Sequence, residues 1–456
     1  MKQFSKKIHM AGIGGAGMSP LAEVLMSRGH RVTGSDKNIS ESTKYLETLG
    51  IKIQYNHEPN LIRDADLFVY SSAIADDNSE RQYATNNGIA EMRRAEVLGD
   101  VMRSSFTICV SGTHGKTTTT SIIGTVLTDA KLSPTVLIGG MLKSAGSHAI
   151  VGNSNTIVAE ADEYDRSFLA MYPSIAVITN IEADHLDCYR DINDIKDTFV
   201  RFTELVPFDG AVVVCIDDAG AVDILPRIRR SIVSYGINDK AEYRAVNIKT
   251  DSGKTRFDVL HSGNLLGSIS MGILGLHNIR NTLAAIAVAC EMGVDFNIIA
   301  SSISAFQGVR RRFEIIGTVN GVTVVDDYAH HPGEISAALD AARSGGYKRI
   351  AAVFQPHLYT RTRDFMDQFA ISLSGADMVI ITDIYKARER SIPGISAEEI
   401  VNRVNAIGKT KALYIGDKNN IAEKLYDMIG NGDLAIFMGA GDIWESARDF
   451  AEGGKS

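Results

Sequence analysis

The sequence predicts an α/β protein of three domains, and three observations predict it. Short apolar strands alternate with helical stretches, the pattern of parallel sheets. Glycine-rich loops follow two of those strands. At 456 residues the chain is too long for one core. Hydrophobic residues make up 45% and charged residues 22%, the composition of an ordinary soluble globular chain.

In the first stretch a strand over Lys7 to Ile13 leads into glycines and an amphipathic helix from about Ser19 to Arg28. A second strand, Arg31 to Gly34, ends at Ser35-Asp36, and another runs from Leu67 to Ser72. A new unit begins near Ser105 with the buried strand Phe106 to Val110. Strand signals recur at Thr156 to Ala159, Ile175 to Thr179 and Ala211 to Cys215, and Asn278 to Met292 is Ala-rich and helical. A last unit follows Gly308-Val309-Arg310, with strands at Val322 to Val325, Arg349 to Phe354, Met378 to Thr382 and Leu434 to Met438. The expected domains are therefore 1–104, 105–310 and 311–456.

The net charge of −8 excludes the broad basic face of a nucleic-acid binder but leaves room for small anionic ligands. No apolar run approaches the length of a membrane span, and no segment reads as a signal peptide. Cys109, Cys188, Cys215 and Cys290 form no CxxC pair. They read as thiols of a reducing cytosol, so a cytoplasmic location is expected.

Gly12-Ile-Gly14-Gly15-Ala16-Gly17 fits G-x-G-x-x-G between a strand and a helix, with Asp36 at the end of the next strand. Glycines let the backbone approach a diphosphate, and the helix start is expected to supply N–H donors. A plain tight turn explains the motif less well than a diphosphate site. NAD is the default ligand, and the motif alone does not separate it from another nucleoside diphosphate.

Ser111-Gly112-Thr113-His114-Gly115-Lys116-Thr117-Thr118 is the sharpest signal. A glycine-rich turn aims amides at phosphates, Lys116 adds a positive charge, and the Thr117 hydroxyl is placed for Mg²⁺. Only two residues separate Gly112 from Gly115, so the loop is shorter than the usual ATP-binding pattern. Glu160, Asp162 and Glu163 stand at a strand end, where a Mg²⁺ ligand belongs. Thr179-Asn-Ile-Glu-Ala-Asp-His185-Leu-Asp187 presents an imidazole among carboxylates. A lone histidine is more often a packed surface residue; after an ATP loop, His185 reads as a ligand for a second metal.

Further runs follow in order: Leu276-His277-Asn278-x-x-Asn281, Gly308-Val-Arg310-Arg311-Arg312-Phe313, Asp326-Asp327-Tyr-Ala-His330-His331-Pro332, Phe354-Gln-Pro-His357 and Gly439-Ala-Gly-Asp-Ile443. With the two loops, they make the whole chain resemble the Mur ligase superfamily. The resemblance implies a Rossmann-like N-terminal domain, a central P-loop ATPase domain and a Rossmann-like C-terminal domain that brings an amino acid. The ligand of the first loop is then a UDP-sugar instead of NAD. The implied reaction is ATP-dependent. It joins L-alanine to the lactyl carboxylate of UDP-N-acetylmuramate through an acyl phosphate, in peptidoglycan precursor synthesis. ATP and two Mg²⁺ ions are the implied cofactors; the partners are those small substrates, with no nucleic acid and no membrane insertion.

The resemblance also implies roles. Gly112, Thr113, His114, Gly115, Lys116, Thr117 and Thr118 cradle ATP, Asn278 meets its adenine, and Arg310 and Asp327 reach it from the C-terminal side. Thr117 and Glu160 hold one Mg²⁺ and His185 the other; Lys116, Glu160 and His185 form the catalytic set. Gly14, Gly15, Ala16, Gly17, Asp36, Ser71, Ser72, His114 and Ser167 hold the UDP-sugar. His330, Arg361 and Arg363 serve the amino acid and muramoyl group. A triple arginine is more often a solvated face, so Arg310 alone is given a role. Relatives that add later residues carry a modified lysine on the helix after Asp-His-Leu-Asp. Here Lys196 comes about a turn too early, which favours the alanine-adding member. Leu358 stands where the family often has arginine. The rivals are a recycling ligase that joins a peptide to the same UDP-sugar, a nicotinamide dehydrogenase and a non-catalytic nucleotide-binding regulator. The dehydrogenase leaves the second loop unexplained; the regulator predicts loss of Lys116, Thr117, Glu160 or His185, and all four are present.

Overall fold

The computed structural model describes residues 5–15, 17–71, 73–139, 149–184, 188–251, 253–387 and 389–453. The described strands fall into three sheets, of five, ten and six strands.

The first sheet comprises β1 (Lys7–Ala11), β2 (Arg31–Ser35), β3 (Lys52–Gln54), β4 (Leu67–Tyr70) and β5 (Ala90–Arg93), in the order β3-β2-β1-β4-β5. All four pairings are parallel, and the register aligns Ala11 with Ser35 and Tyr70, Ser35 with Gln54, and Tyr70 with Arg93. The carboxyl ends of all five strands therefore share one edge, where such sheets bind ligands. The connecting helices are α1 (Met18–Ser27), α2 (Glu41–Thr48), α3 (Ser79–Asn86) and α4 (Arg94–Met102). Ser40 and Thr43 form a capping box at the start of α2, and the Asn78 side chain caps α3 through the amides of Glu80 and Arg81.

In the second sheet β6 (Phe106–Ser111) lies between the parallel strands Ile175–Ile178 and Thr156–Glu160. It is followed by α5 (Lys116–Asp129), whose Ile122, Ile123, Val126 and Leu127 are buried. Ser231–Gly236, Tyr243–Asp251, Lys254–His261 and Asn264–Met271 extend the sheet at one edge. These strands were not legible as strong apolar runs, because exposed polar residues alternate along them.

The third sheet runs in the order Glu314–Val319, Val322–Asp327, Leu434–Met438, Ile350–Phe354, Met378–Thr382, Lys411–Gly416. Its first pair is antiparallel and the rest are parallel. Phe354, Phe369, Leu373 and Ile381 fill one face and Val353, Phe437 and Phe450 the other.

The chain forms two compact units: Met1–Val246 with Asp258–Ile269 and Arg280–Phe306, and Asn247–Phe257 with Ser270–Ile279 and Gln307–Ser456. Within the first unit a continuous apolar cluster runs from Met10 of β1 and Leu25 of α1 to Ile178 of the second sheet and to Phe168 and Phe199 on the helical segments Tyr164–Ala170 and Ile192–Glu204.

Candidate functional site

At the carboxyl edge of the first sheet the amides of Gly12 and Ile13 donate to the Ser35 carbonyl at 2.8 and 3.0 Å. The Gly14 amide donates to Asp36 Oδ2 at 2.9 Å. Asp36 thus holds the loop that the sequence paired it with. The start of α1 differs from expectation. The amides of Met18 and Ser19 donate to the Gly15 carbonyl at 2.9 and 3.0 Å, and Pro20 has no N–H. The first helical turn therefore has its donors committed, and positive charge comes from elsewhere.

It comes from Arg94, at the start of α4. A Cβ placed on Gly17 would lie 2.9 Å from Arg94 Nη1, so glycine is what leaves the guanidinium its place. Burial lowers the Arg94 pKa against the pull of Asp162 and Glu160, and an arginine so placed stays charged. Arg94 lines a cavity of about 290 Å³ together with Gly15, Gly17, Ser71, Glu160 and Asp162. It also lines an adjoining cavity of about 220 Å³ with Asp162, Arg166 and Ser167. The Ser167 hydroxyl donates to the Asp162 carbonyl at 2.9 Å.

The second loop turns at Gly112 and Gly115, whose φ values of +137° and +83° suit glycine. A Cβ on Gly115 would meet Asn281 Oδ1 at 2.5 Å. Asn180 grips the loop: its carbonyl accepts the Thr113 amide at 3.1 Å, its Oδ1 accepts the His114 amide at 2.8 Å, and its Nδ2 donates to the His114 carbonyl at 3.0 Å. Thr179 Oγ1 donates to that same carbonyl at 2.6 Å. Lys116 Nζ donates to the Gly112 carbonyl at 2.7 Å and to Glu163 Oε2 at 2.8 Å, with Asp162 at 3.7 Å. Burial works against its charge, but Glu163 and Asp162 outweigh it and hold the ammonium above its ordinary pKa. Thr117 Oγ1 lies 3.2 Å from Glu160 Oε2, while Glu160 Oε1 accepts the Gly139 amide at 2.6 Å. Thr118, in the same turn of α5, is buried.

In the second unit Asn278 is buried near the start of the helix Leu276–Glu291, and its Nδ2 donates to the Leu274 carbonyl at 2.7 Å. Asp327 accepts the amides of Phe313 and Ala329 at 2.6 and 2.7 Å. Burial, against Arg312 and those amides, raises its carboxyl to about 6. Arg310 is half-buried. Its neighbours are not a solvated run: Arg311 and Arg312 lie 4.8 and 5.2 Å from the Tyr328 ring, and Arg311 donates to the Gly439 carbonyl at 2.6 Å. Stacking and the buried Asp326, 3.6 Å from Arg311, hold them in.

His330 lies with its Nδ1 2.9 Å from the Tyr328 carbonyl and 3.2 Å from Glu334. Its ring is 6.1 Å from that of His357, which stacks on Tyr385 at 5.7 Å. Burial pushes both imidazoles down to about 4, with Arg361 adding to the effect. Arg363 is half-exposed and donates to Asp364 at 2.7 Å, so the cation near the two imidazoles is Arg361. Leu358 has a φ of +69°, a conformation that a β-bearing side chain rarely adopts.

The structure thus gathers Gly14, Gly15, Gly17, Asp36 and Ser71 at one edge, and Gly112 to Thr118 with Glu160 at another edge of the same unit. Ala16, Ser72 and His185 lie outside the described residues. Arg94, Asn180, Asn281 and His357 had no role assigned from the sequence, and Glu163, expected among the acidic residues of the strand end, pairs with Lys116. Arg94 carried no signal, because it opens a helix remote in sequence from both loops. Lys196, the early lysine, is spent on an ion pair with Asp223 at 2.6 Å.

Comparison with known proteins agrees along the whole chain. Residues 7–106 match the "Mur ligase family, catalytic domain", residues 110–289 the "Mur ligase middle domain", and residues 311–441 the "Mur ligase, glutamate ligase domain". A UDP-N-acetylmuramate–L-alanine ligase from Caldanaerobacter subterraneus is 46% identical over 452 residues, covering 99% of this chain and 98% of the relative. One from Salinibacter ruber is 45% identical over 449 residues, covering 98% and 94%. The solved UDP-N-acetylmuramate–alanine ligase of Thermotoga maritima superposes with a TM-score of 0.84 at 30% identity, covering 98% of each chain. A murein peptide ligase from Psychrobacter arcticus gives 0.73 at 27% identity, again over 98% of each. With all three segments in order and such identity over nearly the full length, the chain belongs to the Mur ligase family.

Proposed function

We propose that the chain joins L-alanine to the lactyl carboxylate of UDP-N-acetylmuramate at the expense of ATP. One observation supports the meeting of two substrates: Glu160, which faces Thr117 of the second loop, lines the same cavity as Gly15 and Gly17 of the first. A phosphate donor and a sugar diphosphate held by the two loops meet there. The choice of L-alanine follows the relatives of 45% and 46% identity.

The functional division is 1–104 for the sugar nucleotide, 105–310 for ATP and 311–456 for the amino acid. Gly14, Gly15, Gly17, Asp36 and Ser71 frame the diphosphate, and Arg94 neutralises it. Ala16, Ser72, His114 and Ser167 complete that set. Lys116 sits among carbonyls and carboxylates and reaches the phosphate to be transferred; Asn278, Arg310 and Asp327 serve the nucleotide.

Thr117 and Glu160 offer hard oxygen donors 3.2 Å apart, a set that suits Mg²⁺. His185 is the ligand for a second ion. Bound Mg²⁺ supplies charge neutralisation and orientation for the transferring phosphoryl group. Lys116 lowers the barrier because its charge is already in place and does not need to reorganise. Joining acid and amine in water is uphill; an acyl phosphate on the lactyl carboxylate makes attack by the amine of alanine feasible. His330, Arg361 and Arg363 orient the amino acid. Since the imidazoles are neutral at pH 7, Arg361 is the group that meets the alanine carboxylate.

Among the described residues no helix is long and apolar enough to cross a membrane. We place the chain in the cytoplasm, where ATP is available. The deciding experiment is ADP release with UDP-N-acetylmuramate, given L-alanine or the murein tripeptide separately. Release with alanine alone is expected. Faster turnover with the tripeptide makes the chain a recycling ligase, and no release with either makes it a regulator.

A further inference from the structure

Behind the first glycine loop lies a fully buried carboxylate, Glu80, in the first turn of α3. Four donors surround it. Oε1 faces His9 Nε2 and Gln54 Nε2, each at 2.9 Å. Oε2 faces the Ser35 hydroxyl at 2.5 Å and His57 Nδ1 at 2.9 Å. An ionised carboxylate offers about four acceptor positions, and all four are used. On the other side of its ring, His9 Nδ1 lies 2.9 Å from Thr33 Oγ1. Burial alone would raise the Glu80 pKa; hydrogen bonds from His9, Ser35 and His57 outweigh it and hold the group ionised. The start of α3 adds favourable amide dipoles.

These donors come from the strands that build the loop. His9 is on β1, Ser35 ends β2, and Gln54 ends β3. The Ser35 carbonyl accepts the Gly12 and Ile13 amides, and the Gln54 carbonyl accepts the Asp36 amide at 3.0 Å. Asp36 in turn accepts the Gly14 amide at 2.9 Å. One buried charge thereby fixes both strand ends from which the loop hangs. We propose that Glu80 is a positioning residue for the sugar-nucleotide site, holding the Gly12–Gly17 loop in its binding shape through Ser35 and Gln54 without touching the ligand. The proposal rests on the reading of that loop as the UDP-sugar site.

The test is calorimetric titration of the full chain with UDP-N-acetylmuramate and, separately, with Mg-ATP. Glu80→Gln places an amide N–H against other donors and is the severe variant. Ser35→Ala is the mild one, since it removes a single hydroxyl and keeps the strand pairing. We expect Ser35→Ala to weaken UDP-N-acetylmuramate binding about three- to tenfold and Glu80→Gln by more, both with unchanged ATP affinity. A merely structural role predicts a lower melting temperature with both affinities moving together or neither moving. If the wild-type chain binds the UDP-sugar and folded Ser35→Ala binds it equally well, the positioning role is overturned while the site assignment stands. If the wild-type chain binds ATP but no UDP-sugar, the site assignment fails and the proposal falls with it.

Discussion

Lys116 Nζ lies 2.8 Å from Glu163 Oε2, so the cation of the second glycine loop is already paired with an anion. In the proposed function an incoming triphosphate competes with that carboxylate for the same ammonium. Lys116→Ala should abolish ADP formation, with a loss on the order of several kcal/mol in the transition state. UDP-N-acetylmuramate affinity should be unchanged, because the first loop frames that ligand. ADP release and calorimetry check the two halves, and near-normal turnover would remove Lys116 from the phosphate site.

Arg94→Ala should weaken UDP-N-acetylmuramate about ten- to a hundredfold while sparing ATP, as expected for a lost charge-assisted contact of about 1.5–3 kcal/mol. Arg94→Lys should recover only part, since an ammonium cannot donate as a planar fork. Titration of the full chain with UDP-N-acetylmuramate and with UDP decides it. Unchanged affinity for both would leave Arg94 a packing residue.

The cavity edges built from adjacent sequence were legible: two glycine loops, the strand ends after them and Asp36. What was not legible depends on the approach of distant segments. Arg94 and Asp162 meet because α4 and the strand ending at Glu160 share a cavity wall, and neither carries a motif that announces it. The donors expected at the start of α1 are consumed because Gly15 turns back on Met18 and Ser19, a detail of backbone direction. The arginine run after Val309 looked like surface because sequence does not show the Tyr328 ring beside two guanidinium groups. Asn281 was visible as part of a motif, yet its place against Gly115 depends on how the helix Leu276–Glu291 packs.

His330 and His357 are held neutral, with pKa values of about 4. These two groups bind fewer protons in the folded than in the unfolded chain between about pH 4 and the ordinary imidazole value of about 6.5, so their contribution to stability is full above that window and drains as pH falls through it. Asp326 and Asp327, raised to about 7 and about 6, contribute in the opposite direction over the same range. Between pH 7 and pH 5 the melting temperature of His357→Gln should therefore change less unfavourably than that of the wild type. An equal slope in wild type and variant would mean that other groups govern it.

L-alanine should be preferred, glycine and L-serine should be slower, and D-alanine rejected. Arg361 can orient a carboxylate but cannot measure a methyl group. One missing methyl in an apolar pocket is worth about 1–3 kcal/mol, and an added hydroxyl is excluded about as weakly. With its amine and carboxylate held, D-alanine drives its methyl into the opposite, close-packed wall. Specificity constants at saturating ATP and UDP-sugar measure this ranking, and a glycine rate equal to that of alanine would break it.

Arg94 stands on the wall shared by the cavities of about 290 and 220 Å³. An inhibitor spanning both cavities passes its guanidinium, and under the proposed role of Arg94 a mutant that resists the compound by replacing this residue also forfeits the cation opposite its own substrate's phosphates. Escape at this position would then weaken substrate binding.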